Sequence, residues 1–332
     1  MWGARGGRPE GHPPLAALRM RVLLRRGLPY VDRIQVPAHD LGIRPRRSWG
    51  KLRGVTDAPL VDISGLHYRY AGAQADALAD LKLEVHEGEF VAVVGANGSG
   101  KSTLARLIGG LEKPAAARRA LACGHDLLVE GGRMAARRDV GVLFQNPENQ
   151  LVAQCVEDDV AFGLENLAWP AADIGRRVDE MLARFELEEL RRREPHMLSG
   201  GQKQRTALAG VIAVPRRVLV LDEPTSMLDP AGRDEVLVAV RELRGEGLAI
   251  VYITQEMDEA VGADCVVALE RGTEAYAGDA GGLFADTALV RRLGLGLPAA
   301  GELALALAEQ GRGLPGLPLT LDELLDALGG AT

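Results

Sequence analysis

Three clusters in this chain have residue types and spacings suited to chemistry on a phosphate. Gly95-Ala96-Asn97-Gly98-Ser99-Gly100-Lys101-Ser102, continued by Thr103, fits G-x-x-x-x-G-K-[ST]. Its glycines let the backbone curl so that successive N–H groups point inward as an anion nest. A helix opening behind the loop adds unpaired donors and partial positive charge. Lys101 is expected to reach the β- and γ-phosphates of ATP and Ser102 Oγ to ligate Mg2+; a plain strand-to-helix turn needs neither. The second cluster is the apolar run Val218-Leu219-Val220-Leu221 ending in Asp222-Glu223. Asp222 there is placed to hold Mg2+ directly or through water. Glu223 is placed as the base that polarises an attacking water. The third is Leu198-Ser199-Gly200-Gly201-Gln202-Lys203-Gln204-Arg205, another glycine nest at the start of a helix.

These clusters need rigid elements behind them. Phe90–Val94, immediately before the first glycine loop, is continuously apolar, as a strand buried on both faces is. Val140–Phe144, Val218–Leu221, Ala249–Ile253 and Val266–Leu269 read as further strands, and Leu60–Leu66 and Leu81–Val85 precede them. Helical stretches are expected at Ser102–Gly109, Ile174–Arg192 and Gly201–Ala213. Strand–helix alternation of this kind predicts an α/β domain with a mostly parallel sheet. Beyond about residue 286, two further helices (Glu302–Gln310 and Leu321–Leu328), separated by Pro315 and Pro318, predict a small helical appendage.

The first 56 residues differ. Pro9, Pro13, Pro14, Pro29, Pro37 and Pro45 interrupt any helix. Residues 1–53 carry 12 Lys/Arg against Glu10, Asp32 and Asp40, a balance of +9 that leaves −16 for the rest. They read as a disordered leader, or as residues ahead of a translation start near Val55. A targeting peptide and a membrane-surface helix over Leu15–Leu28 are the rival readings. An acidic body argues against a nucleic-acid partner. No apolar run is long enough to span a bilayer. Cys123, Cys155 and Cys265 match no disulfide or metal spacing and are expected to be buried, reduced thiols.

The third cluster is identical to the signature of ABC ATPases, and residues 60–285 resemble that family throughout. The resemblance implies a phosphate-loop ATPase with a mostly parallel core sheet, an antiparallel β subdomain and a helical subdomain at about 147–213. The implied ATPase domain runs 57–286, and a C-terminal helical dimerisation region runs 287–332. It implies that Ser199, Gly200, Gly201 and Gln202 close over the γ-phosphate held by a partner, making ATP the glue of a dimer. Tyr70, rather than Tyr68, resembles the aromatic that stacks on adenine. Gln145 resembles the Q-loop glutamine, which touches Mg2+ and reports the state of the site to a membrane partner. Asp229, in Ser226-Met227-Leu228-Asp229, resembles the D-loop residue at the dimer interface.

Phe144-Gln145-Asn146-Pro147-Glu148-Asn149-Gln150 and Val156–Asn166 narrow the resemblance to energy-coupling factor ATPases. That family drives uptake of vitamins and transition-metal ions. It implies a second ATPase subunit, as a heterodimer or homodimer, together with a membrane scaffold docking near the Q-loop and a membrane substrate-binding subunit. It places the chain on the cytoplasmic face of the membrane.

One position departs from the family. Where it has the switch His, this chain has Gln255. An amide can donate to a phosphate oxygen and accept one bond, but it cannot become cationic near neutral pH. Either Gln255 substitutes adequately, or this site hydrolyses slowly beside a faster partner site. The alternative functions are a soluble ABC ATPase acting on ribosomes or DNA, and an ATP-gated subunit with little turnover. The first is disfavoured by the single cassette and by the short span from Lys101 to His196, which leaves no room for a long coiled coil. The intact Glu223 disfavours the second.

Overall fold

The computed structural model describes residues 58–329. The leader expected over residues 1–56 lies outside the described residues, as do residues 330–332 of the expected C-terminal region. The described chain opens with β1 (Val61–Tyr68) and β2 (Leu78–Val85), which pair antiparallel from Val61↔Val85 to Tyr68↔Leu78. Their largely alternating burial is that of strands with one face on a core. β3 (Phe90–Val94) is buried at every position and feeds α1 (Lys101–Ile108). β4 (Arg119–Ala122) and β5 (His125–Asp126) return to β1 and complete an antiparallel sheet of order β2-β1-β4-β5.

α2 (Glu130–Asp139) leads into β6 (Val140–Leu143). A helical excursion follows, made of α3 (Val156–Asn166), α4 (Ala171–Arg184) and α5 (Gly200–Ala213). The chain then continues as β7 (Val218–Asp222), α6 (Pro230–Gly245), β8 (Ala249–Ile253), α7 (Met257–Ala260), β9 (Cys265–Glu270) and β10 (Thr273–Gly278). α8 (Ala280–Ala285), α9 (Thr287–Arg292), α10 (Ala299–Glu309) and α11 (Leu321–Gly329) close it. The second sheet has the order β10-β9-β3-β8-β7-β6, parallel except for the antiparallel β9–β10 hairpin. The fold is α/β, with the parallel core sheet, antiparallel subdomain and helical part that the sequence leads one to expect.

Side chains alternate across each strand, so the central sheet feeds separate cores. Val218 and Val220 of β7 join Leu104, Ile108 and Leu81 between the two sheets. Leu219 and Leu221 face the other way, into a core with Leu164, Met181 and Leu208 of the helical excursion. Ala92 and Val94 of β3 pack with Leu283, Phe284 and Val290 of the C-terminal helices.

Some expectations shift. The helix expected over Ile174–Arg192 is α4 and ends at Arg184; Glu186 has φ 54°, and Phe185 and Leu187 turn into the core. Sequence reading did not anticipate β4, β5, β10, α2, α3, α6, α7, α8 or α9 as individual elements. α2 buries only Ala136 and carries Arg133, Arg137 and Arg138, so its apolar stripe is faint. α6 does have a stripe (Val236, Val240, Leu243), opened by Pro230 behind an Asp229 cap.

Candidate functional site

The glycine loop lies between β3 and α1 with Ala96, Asn97 and Gly98 exposed. Two of its glycines have no substitute. At Gly95 (φ 148°) a Cβ would fall 2.5 Å from the Leu269 carbonyl oxygen, and at Gly100 (φ 108°) one would fall 2.8 Å from that of Ala77. Inside the loop, Lys101 Nζ donates to the carbonyl oxygens of Gly95 at 2.6 Å and Ala96 at 3.0 Å. Burial lowers the ammonium's pKa, against the opposing pull of the Glu223 and Asp222 carboxylates. Ser99 Oγ is buried in the loop without a hydrogen-bond partner among the described residues.

The end of β7 lies beside this loop. Asp222 is buried, which pushes its carboxyl above the ordinary range; a hydrogen bond with Ser102 works the other way. A buried acid facing a serine hydroxyl at the mouth of an anion nest is a donor set that suits a hard divalent cation. Glu223 follows in left-handed backbone, φ 48°, anchored by its N–H to the Ile253 carbonyl at 2.9 Å. Both of its carboxylate oxygens accept from amides. Gln145 Nε2 donates to Oε2 at 2.5 Å, and Gln255 Nε2 donates to Oε1. Gln255 Nε2 also donates to Asn97 Oδ1 at 2.9 Å. Four sequence-predicted residues on four separate segments therefore form one hydrogen-bonded bridge over the glycine loop.

Tyr70 is exposed, and its hydroxyl shares a 2.9 Å hydrogen bond with Thr103 Oγ1 at the start of α1. Tyr68 is buried, stands edge-on to Tyr70 and donates to Glu112 at 3.0 Å, so its ring faces are covered. Of the two rings, that of Tyr70 is the exposed one.

The signature residues are not part of this cluster. Ser199 caps α5, accepting from Gln202 N–H at 3.3 Å while the Gln202 side chain accepts from Ser199 N–H at 3.0 Å, a reciprocal capping box. Ser199 and Gly200 are exposed, and Gly200 lies beside the Met227 carbonyl of the loop after β7. Asp229 caps α6 through Gly232 N–H at 3.0 Å. Lys203 pairs with Glu148, which links the signature helix to the segment after Gln145.

Sequence reading missed two further features. Gln150 acts as an extra strand residue beside β6, accepting from Phe144 N–H at 2.8 Å and donating to the Val142 carbonyl at 3.0 Å. It also missed Glu259, a buried carboxylate behind the site. The only signal for Glu259 was an acid on the first turn after Gln255, a pattern that solvated helix starts share.

A glycine nest with its lysine, a strand-end Asp-Glu pair and a Gln bridge, set on this sheet, define an ATPase of the ABC type. The ABC transporter family model matches residues 78–226. The chain is 48% identical over 278 residues to the energy-coupling factor transporter ATP-binding protein EcfA1 of Symbiobacterium thermophilum, covering 81% of this chain and 96% of the relative. It is 41% identical over 273 residues to that of Clostridium novyi, covering 81% and 97%. Among solved structures, cbiO1 of Clostridium perfringens, described as part of the ABC transporter complex cbiONQ, is 35% identical with TM-score 0.63, covering 74% of this chain and 99% of that one. A dimeric ATP-binding cassette in a post-hydrolysis state bound to ADP and Pi is 26% identical with TM-score 0.62, covering 66% and 98%. The chain belongs to the family of energy-coupling factor transporter ATP-binding proteins.

Proposed function

We propose that this chain hydrolyses MgATP to energise an energy-coupling factor importer of vitamins or transition-metal ions, from the cytoplasmic face of the membrane. The observation that carries the reading is the bridge of Gln145, Glu223, Gln255 and Asn97 over the glycine loop. Binding falls to the loop N–H groups, with Lys101 turning from the Gly95 and Ala96 carbonyls toward the β- and γ-phosphates. Ser102, Asp222 and Gln145 would hold Mg2+, which supplies charge neutralisation between the phosphates. Glu223 is oriented by two amides and takes the proton of the attacking water.

The partner reading follows from what the chain leaves open. Ser199, Gly200, Gly201 and Asp229 stand apart from the loop, so a second ATPase subunit completes the site with its own signature. α10 and α11 expose Leu303, Leu321, Leu325 and Leu328, which suit the dimerisation role of residues 287–332. No helix among the described residues is long and apolar enough to cross a membrane.

A groove beside the Q-loop supports scaffold docking. Leu151, Phe162, Gly163 and Val211 line a cavity of about 180 Å³. Asp159, only 8% exposed, accepts with one oxygen from the Val152 and Ala153 N–H groups and leaves Oδ2 without a partner among the described residues. Affinity purification from the native membrane tests the reading: multi-helix membrane proteins are expected to co-purify. ATP-dependent retention of ribosomes or DNA without them would contradict it.

A further inference from the structure

Glu259 has no role in the steps above, yet its side chain is only 1% exposed. Three hydroxyls converge on it. Thr225 Oγ1–H donates to Oε1 at 2.7 Å, while Thr254 Oγ1–H and Tyr252 O–H donate to Oε2 at 2.6 and 3.1 Å. Arg233 of α6 stands 3.7 Å from Oε1 and 3.2 Å from the Glu256 carboxylate. Thr225, Tyr252 and Thr254 are all 2% exposed or less.

An apolar side chain would fill this space without the cost of desolvating a charge. A carboxylate contributes something an apolar group cannot, an acceptor for several donors at once. Two of the three donors come from the turns that carry the chemistry, and the third, Tyr252, from β8 itself. Thr225 lies two residues after Glu223, and Thr254 immediately precedes Gln255. Thr254 is held from both sides, because its hydroxyl also accepts from Glu256 N–H at 3.0 Å. Its N–H donates to the Val93 carbonyl at 3.2 Å, at the end of the strand that enters the glycine loop. The direction in which Gln255 leaves β8 is therefore set by a residue whose side chain is pinned to Glu259.

We propose that Glu259 is a positioning residue for ATP hydrolysis: one buried carboxylate ties the turn after Glu223 to the turn carrying Gln255, so that the Gln255 amide meets the base. The proposal rests on the roles given above to Glu223 and Gln255.

The test is a double-mutant cycle on the full-length chain assembled with its ATPase and membrane partners, reading kcat, KM for ATP and thermal melting. Glu259→Gln is expected to lower kcat roughly 10- to 100-fold, with KM changed less than about twofold, as a misplaced catalytic group does. In a Gln255→Ala background the same substitution is expected to cost less than about twofold, because the group it positions is gone. Thr254→Ser, which keeps the hydroxyl, should retain kcat, and Thr254→Val should reproduce the loss. This pair carries the test if Glu259→Gln does not fold. Equal losses in both backgrounds, an effect on KM alone, or an unchanged kcat in a folded Glu259→Gln or Thr254→Val variant would overturn the proposal. If Gln255→Ala alone leaves kcat intact, the assignment of Gln255 falls and the proposal falls with it; equal losses with Gln255→Ala impaired sink the proposal only.

Discussion

Glu223 occupies backbone that non-glycine residues rarely adopt, φ 48°, and its two oxygens are claimed by amides from different segments. Left-handed backbone of this kind costs on the order of 1–3 kcal/mol and is retained where surrounding bonds dictate it. Gln255 can orient the base but cannot share its charge. Gln255→His should therefore raise turnover, by up to roughly 10- to 100-fold for one charge-assisted bond gained in the transition state; an unchanged steady-state rate would show that the amide suffices. The tyrosine pair separates binding from folding. Tyr70→Ala is expected to lose ~1–3 kcal/mol of base stacking, read as a weaker ATP Kd with the melting temperature held. Tyr68→Ala should instead lower stability, because that ring is buried under its neighbours.

At the scale of elements, two expected interface residues already work inside the chain as helix caps. Asp229→Ala removes the acceptor for Gly232 N–H and should cost ~1 kcal/mol of stability even without ATP, measurable by chemical denaturation. The glycine loop, β3 and β7 were legible because their function demands unusual residues in unbroken order, Gly-Lys-Ser after one buried strand and Asp-Glu after another. α2 and β10 were not, since each is largely exposed and its apolar period is weak. The end of α4 was missed for a different reason. Arg191 and Arg192, inside the expected bounds, instead pair with Asp179 and Glu157 from beyond a turn. The Gln–Glu–Gln–Asn bridge lay beyond sequence reading in its connectivity, although each member was named. Tertiary proximity of four loops leaves no periodic trace.

On the proposed function, partner subunits complete the whole molecule. Leu325→Asp on the exposed face of α11 should weaken self-association or pairing with a second ATPase by more than about tenfold in Kd, read by analytical ultracentrifugation. Burial pushes the Cys123 thiol up to about 11 and Cys265 up to about 12, and raises Cys155 as well. Since the thiolate is the reactive form, thiol reagents at pH 8 should label none of these three until the protein is unfolded. The central claim is that this chain turns over ATP by base catalysis at Glu223. Its most direct test is the ATP turnover of the Glu223→Gln chain, assembled with its membrane partners, against that of the unaltered complex. Turnover should fall at least about 100-fold with nucleotide binding retained; turnover within about twofold of the unaltered complex would rule out Glu223 as the base.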